Sequence, residues 1–227
     1  MTRTLVVGAG GLGGPIAIAL AAAGHELVIV DPDRVELSNL HRQIQFTAAD
    51  LDLPKATRLA ARVGGTGLVG RWAPAMGDSA TLVVDASDDP ATKFAIADWA
   101  IATGRRHVIA SALRFGGNVF AGAPGAACYR CLFEEPSDGP TCAEAGVLGP
   151  VVGAIGGVAA AVAIGLAAGD RSLAGAVLVF DDLRRAAEPR IVRFAPRPGC
   201  SACARAPITP HPKEISDAEH SRPQRTP

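Results

Sequence analysis

The stretch DPDRVELSNLHRQ, Asp31 to Gln43, gathers Asp31, Asp33, Asn39, Arg42 and Gln43 into one short segment. That is more polar chemistry than a turn requires. Upstream, Gly8-x-Gly10-x-x-Gly13 follows the apolar run Leu5–Val7. In such a fingerprint the first glycine makes the turn and the second lets a phosphate reach the backbone. The third lets helix and strand pack closely, and the helix N-terminus adds partial positive charge. Asp31 stands 18 residues after Gly13, near the spacing of an acid that holds a ribose. The glycines and the acid predict an adenine nucleotide but do not choose NAD over a triphosphate.

The residues that follow make that choice. Hydride transfer has no evident use for phosphate-seeking groups directly after the ribose acid, whereas a triphosphate needs Arg, Lys and Mg²⁺ to offset its charge. Arg42 offers a bidentate fork, and Lys55 adds a point charge on a Pro-Lys step that opens a helix. Asp88, in DASDD, ends a strand on the carboxyl edge of the sheet, where a carboxylate suits Mg²⁺. Each residue alone reads as a solvated surface charge. Four groups at successive strand ends are better explained by one ligand.

Five cysteines complete the inventory. Cys128 and Cys131 form one Cys-x-x-Cys pair, Cys200 and Cys203 another, and Cys142 is left over. Two pairs supply four soft ligands, enough for a closed tetrahedral zinc site. Redox dithiol chemistry is the rival reading, although neither pair opens a helix after a thioredoxin-like strand. Disulfides are disfavoured in the cytoplasm, where the chain is placed for want of a convincing export signal.

These residues need a frame. Leu5–Val7 and Leu27–Val30 read as buried parallel strands flanking a helix from Pro15 to Ala23. A helix from Ala56, a strand Leu82–Val84, a helix in ATKFAIADWAIATG and a strand in HVIAS continue the alternation. The expected fold is α/β: a Rossmann-like, doubly wound, mostly parallel sheet. Beyond it, Gly117–Ala121, Val177–Phe180 and Ile191–Phe194 read as antiparallel extensions without regular helices between them. One domain is expected over residues 1–205, with a nucleotide-binding half (1–115) and a second half (116–205). The Pro-rich, polar residues 206–227 read as a disordered tail.

Bulk properties narrow the partners. The 227 residues are 48% hydrophobic and 4% aromatic with zero formal net charge, which argues against a general nucleic-acid binder. Residues 1–24 mimic a signal peptide, but the glycine spacing claims them for the fingerprint. Ala145–Gly169 carries no charge and is long enough to cross a bilayer. Its Gly and Ala content and its lack of aromatic belts favour a helix buried in a core or a subunit interface. His25, His41 and His107 show no metal-ligand spacing and read as ordinary residues.

The chain resembles the ThiF/MoeB (HesA) family of adenylating enzymes, relatives of ubiquitin-activating enzymes. GAGGLG, DPDRVELSNLHRQIQF, PK, DASD, CYRCL, TCAEAGVLGPVVGAIG and PGCSAC carry the likeness, in family order, from about residue 3 to residue 204. IASALRFGG and AGVLGPVVG lean towards ThiF, which activates the sulfur carrier of thiamine biosynthesis. The resemblance implies a nucleotide bordered by Gly8, Gly10, Gly11, Gly13 and Asp33. Asp31 would hold the ribose of ATP, Asn39, Arg42 and Lys55 its phosphates with Gln43 beside them, and Asp88 the Mg²⁺. A small ubiquitin-like carrier ending Gly-Gly would attack the α-phosphate through its C-terminal carboxylate. The resemblance also implies a structural Zn²⁺ on Cys128, Cys131, Cys200 and Cys203, and a homodimer with an interface around Val151–Leu166. It makes Cys142 a candidate relay in sulfur or thioester transfer, beside a possible sulfurtransferase, with a spectator thiol as the alternative.

The chain departs from the family in two respects: it begins almost directly on its first strand and contains no R-Y-x-R-Q stretch, whose arginine reaches the neighbouring subunit's nucleotide in most relatives, and its span from Lys55 to the TLVVDASD strand is short. Arg3, Arg71, Arg105 and Arg114 are the candidate replacements. The competing readings are a non-catalytic scaffold or partner subunit and an NAD-dependent oxidoreductase.

Overall fold

The computed structural model describes residues 2–136 and 146–203. Its first half alternates strand and helix: β1 (Arg3–Val7), α1 (Gly13–Ala22), β2 (Glu26–Asp31), α2 (Lys55–Val63), β3 (Thr66–Val69), β4 (Leu82–Asp85), α3 (Pro90–Ala102) and β5 (Arg106–Leu113). The second half holds β6 (Gly116–Gly122), α4 (Tyr129–Leu132), α5 (Gly149–Ala167), β7 (Ala176–Phe180) and β8 (Arg190–Arg193). All eight strands join one sheet in the order β3-β2-β1-β4-β5-β6-β7-β8. The first five are parallel; β6, β7 and β8 extend them antiparallel. This is the doubly wound, mixed sheet expected from the sequence.

The apolar runs are continuous because helices cover both faces of the sheet. On one face, Ile16 and Leu20 of α1, Leu59 of α2 and Ile155 and Leu166 of α5 bury against Val6, Ile29, Val84 and Val108. On the other, Ile96 of α3 meets Leu5, Val28 and Val83, while Phe94 of the same helix joins Phe120 and Tyr129. Asp89 starts α3 by accepting from the N–H groups of Ala91 and Thr92, with Pro90 in the first turn.

Two expectations need correction. β6 and β7 are not consecutive strands without helices, because α4 and the 19-residue α5 lie between them. The half-exposed edge strand β3 was not foreseen. The charge-free stretch forms α5, which is long and apolar enough to cross a membrane, with half of its apolar window buried. It packs on α1, β5 and β6. Cys142 and residues 206–227 lie outside the described residues.

Candidate functional site

The parallel strands β1, β2 and β4 end at one cleft of about 700 Å³, on the carboxyl edge where ligands of such sheets bind. β1 delivers the glycine turn. Gly8 has φ +96°, and a Cβ there would stand 2.8 Å from the Ala86 carbonyl. A Cβ at Gly13 would sit 1.9 Å from the Gly8 oxygen, so both positions exclude a side chain. Gly10 is different: its missing Cβ meets only Gln43 Nε2, at 3.6 Å, and so leaves room for a ligand. No acid occupies the first turn of α1, whose partial positive charge is therefore uncancelled.

Asp31 ends β2 and is buried. The backbone N–H groups of Ala9 and Asp33 donate to its Oδ2 and Oδ1, at 2.6 and 2.8 Å. Burial raises its carboxyl above the usual range, opposed by those two hydrogen bonds. Asp31 thus braces the glycine turn against the end of β2, and each oxygen keeps a second lone pair for a ligand hydroxyl. Gln45, not singled out from sequence, supports the turn from below. Its amide donates to the carbonyls of Ala9 and Gly10, both at 2.9 Å. Gln43 is buried, and its side-chain oxygen has no partner among the described residues. A buried orphan acceptor in a cleft wall marks a place for a ligand or water.

The connection after β2 supplies the cations. Arg42 donates to Asn39 Oδ1 and His41 Nε2, while His41 Nδ1 meets the Ser38 carbonyl at 2.9 Å. Neither Arg42 partner is a carboxylate, so no ion pair among the described residues engages its charge. The Lys55 side chain is only 6% exposed, and its ammonium pairs with the largely exposed Asp33 at 3.0 Å. A phosphate therefore has a weakly held competitor to displace. Asp88 lines the cleft from the β4–α3 loop, exposed and without an ion pair among the described residues.

A second pair escaped sequence reading. Lys93 of α3 is buried and places its ammonium 2.8 Å from Asp85 Oδ2, 2.7 Å from the Ser87 carbonyl and 2.8 Å from the Ala110 carbonyl. Asp85 Oδ1 accepts from the Ser87 hydroxyl at 2.7 Å and from its N–H at 3.2 Å. Every ammonium proton has an acceptor, so the pair ties the end of β4 and the middle of β5 to α3 at the cleft floor. Beyond Ser111, the cleft continues past Asn118 to Tyr129 and Phe133. Burial, then the nearby Asp85 charge, pushes the Tyr129 hydroxyl up to about 12.

The structure sorts the four arginines named as replacements. Arg3 pairs with Glu26 at the start of β1. Arg105 donates to the Ala80 and Asp78 carbonyls and lies over Trp99. Both belong to the amino edge of the sheet, away from the cleft. Arg114 sits in the β5–β6 turn, where its backbone bonds to Gly146 and Leu148. Arg71 alone of the four lines the cleft.

The cysteine pairs converge although they are far apart in sequence. The four Sγ atoms lie within 4.8 Å of one another, with separations of 3.5 Å for Cys128–Cys200 and Cys131–Cys203 and 3.7 Å for Cys128–Cys131. Four sulfurs at about 2.3 Å from one zinc would stand roughly 3.8 Å apart, so the donor set fits a tetrahedral ion. The spacings are too long for disulfides. Burial raises the Cys128 thiol well above its usual range. Against burial, the N–H groups of Cys203 and Ala202 pull Cys200 down to about 6, and the Arg197 N–H donates to Cys131 Sγ at 3.2 Å.

Fold and cleft together place the chain in the Rossmann class, with a built-on antiparallel half. Comparison with known proteins narrows this. The model of the ThiF family matches residues 1–67 and 71–202. The chain is 37% identical over 219 residues to the sulfur carrier protein ThiS adenylyltransferase of Escherichia coli, covering 89% of this chain and 86% of that protein. It is 38% identical over 225 residues to the adenylyltransferase and sulfurtransferase MOCS3 of Caenorhabditis briggsae, covering 91% of this chain and 56% of that one. It spans about half the length of the MOCS3 relatives. Crystallised E. coli MccB with ATP superposes with a TM-score of 0.75 at 16% identity, covering 89% of this chain and 67% of MccB, a likeness of fold. The chain belongs to the ThiF family.

Proposed function

We propose that the chain adenylates the C-terminal carboxylate of a small ubiquitin-like sulfur-carrier protein, using ATP and Mg²⁺. A carrier carboxylate oxygen attacks the α-phosphorus. The bond from that phosphorus to the bridging oxygen breaks, and pyrophosphate leaves with the electron pair. No general base is needed, because the nucleophile is already ionised at neutral pH. The observation that carries this reading is the continuity of the cleft: one end holds the glycine turn, Asp31, Arg42 and Lys55, and the other runs past Asn118 to Tyr129. A nucleotide at the first end and a peptide tail entering from the second would meet in the middle.

Electrostatics sets the terms. Two unit anions at 4 Å repel by roughly 4 kcal/mol at an effective dielectric near 20. The cleft wall carries Arg42, Lys55, Arg71 and Lys93, but more carboxylates than cations. A triphosphate therefore needs a further cation there. Asp88, exposed on the cleft and without an ion pair among the described residues, is the carboxylate assigned to Mg²⁺ in this reading. Bound magnesium supplies charge neutralisation on the phosphates. Arg42 and Lys55 hold the phosphates, and Asp31 the ribose.

Zinc on the four thiolates fits a structural cross-link, and Cys142 is the candidate for a later sulfur or thioester relay. A homodimer through the face of α5, a cytoplasmic location, a partner sulfurtransferase and a role in thiamine biosynthesis complete the reading. ATP–pyrophosphate exchange with candidate Gly-Gly carriers tests it. Exchange should appear with one carrier and vanish in Arg42→Ala and Asp88→Ala, while Cys142→Ser keeps exchange and lowers downstream sulfur transfer. ATP binding without exchange across a full set of carriers would overturn the assignment in favour of a scaffold.

A further inference from the structure

Arg71 is exposed in the cleft wall and makes no hydrogen bond or ion pair among the described residues. Its position is fixed from both sides. The preceding Gly70 N–H donates to the Asp31 carbonyl at 3.2 Å, which sets Arg71 beside the ribose acid. The following Trp72 packs edge-on against Trp99, with ring centroids 5.8 Å apart, and anchors the backbone in the core. The facing group is Asp89, whose carboxyl is held below its usual range by the Thr92 hydroxyl, by the N–H groups of Thr92 and Ala91, and by the Arg71 charge.

The strand order gives Arg71 a role. β1 carries the glycine turn and β2 carries Asp31, so phosphates at the turn and ribose at Asp31 run outward from β1 to β2. The next strand outward is β3, and Arg71 follows it. Between β3 and β4 lie only β2 and β1, so Arg71 and Asp89 would flank a nucleoside seated there from opposite sides. Arg42 and Lys55, which also line the cleft, are the groups assigned above to the phosphates.

We propose that Arg71 forms the base end of the nucleotide site, with its planar guanidinium laid on the face of the adenine. This rests on the nucleotide reading of the cleft and adds to it the residue that grips the base. A guanidinium on an aromatic face is a stack as well as a charge contact, which an ammonium does not reproduce.

Calorimetric titration of the full chain with AMP and with ATP tests the assignment. Arg71→Ala should weaken both nucleotides by the same factor, about five- to tenfold. Arg71→Lys should not restore wild-type affinity. Lys55→Ala should weaken ATP more than AMP. Arg71 is exposed, so thermal melts of its variants should match the wild type. A loss confined to ATP would make Arg71 a phosphate contact and overturn the proposal, as would full rescue by lysine or undiminished binding in Arg71→Ala. A Lys55→Ala defect beside normal Arg71→Ala binding would sink this inference alone. Absence of nucleotide binding in the wild type would sink the underlying reading as well.

Discussion

Removing the Lys93 ammonium should unfold the protein more effectively than any single change at the cleft surface. Asp85 is fully buried and the Lys93 side chain is 8% exposed, so neither charge has water to fall back on. The three short bonds from Lys93 to Asp85, Ser87 and Ala110 consume every ammonium proton. Lys93→Met keeps the aliphatic bulk and leaves the Asp85 carboxylate buried beside two carbonyl oxygens. Breaking a buried pair in this way costs about 3–5 kcal/mol, most of it the uncompensated charge rather than the lost attraction. For a chain of this size that is a fall in Tm of roughly 6–20 °C. Urea denaturation of wild type, Lys93→Met, Asp85→Asn and the double variant would measure it, with the slope checked for constancy. The double variant should recover much of the loss, because the stranded charge is gone. A Lys93→Met protein within about 1 kcal/mol of wild type would show that the pair is hydrated or rearranged, and the argument for a rigid cleft floor would fail.

Acid sensitivity should trace in part to His107. Burial pushes its imidazole down to about 4 from 6.5, so the unfolded chain binds a proton that the folded one refuses. Stability is therefore full above about pH 6.5 and is lost as pH falls towards 4. His107→Leu should flatten that part of a stability–pH profile, and an unchanged slope would assign the loss elsewhere. The cysteine cluster should carry one zinc per chain by elemental analysis. Chelation or Cys131→Ser should lower Tm by several degrees, because the metal would tie α4 to the end of the chain segment after β8. Metal-free protein with the wild-type Tm would remove the cluster from the stability account.

The legible parts of this fold are those where local chemistry and tertiary role coincide. Leu5–Val7 and Leu82–Val84 are apolar without interruption because both sheet faces are covered. The glycine fingerprint could be read because Gly8 takes a positive φ in the turn and Gly13 abuts the Gly8 oxygen within it. Where a residue's role comes from distant packing, its type misleads. The edge strand Thr66–Val69 contains Gly67, a poor strand former, yet a Cβ there would stand 2.7 Å from the Ala56 carbonyl of α2. The glycine that hides the strand is the one that lets the helix lie on it. The helix Gly149–Ala167 shows no polar face to signal its place between strands, because aliphatic residues such as Val151, Ile155 and Leu166 cover its packed side and small uncharged ones its open side. Lys93 and Gln45 resemble surface polar residues of a helix and a loop. Only closure of β4, β5 and α3 around one ammonium, and of the glycine turn over one amide, gives them work. The candidate cleft is thus half written in motifs, which name the groups that face a ligand, and half in the buried bonds that hold those groups still. The second half is the one that stability measurements on Lys93 and Asp85 can reach without any ligand at all.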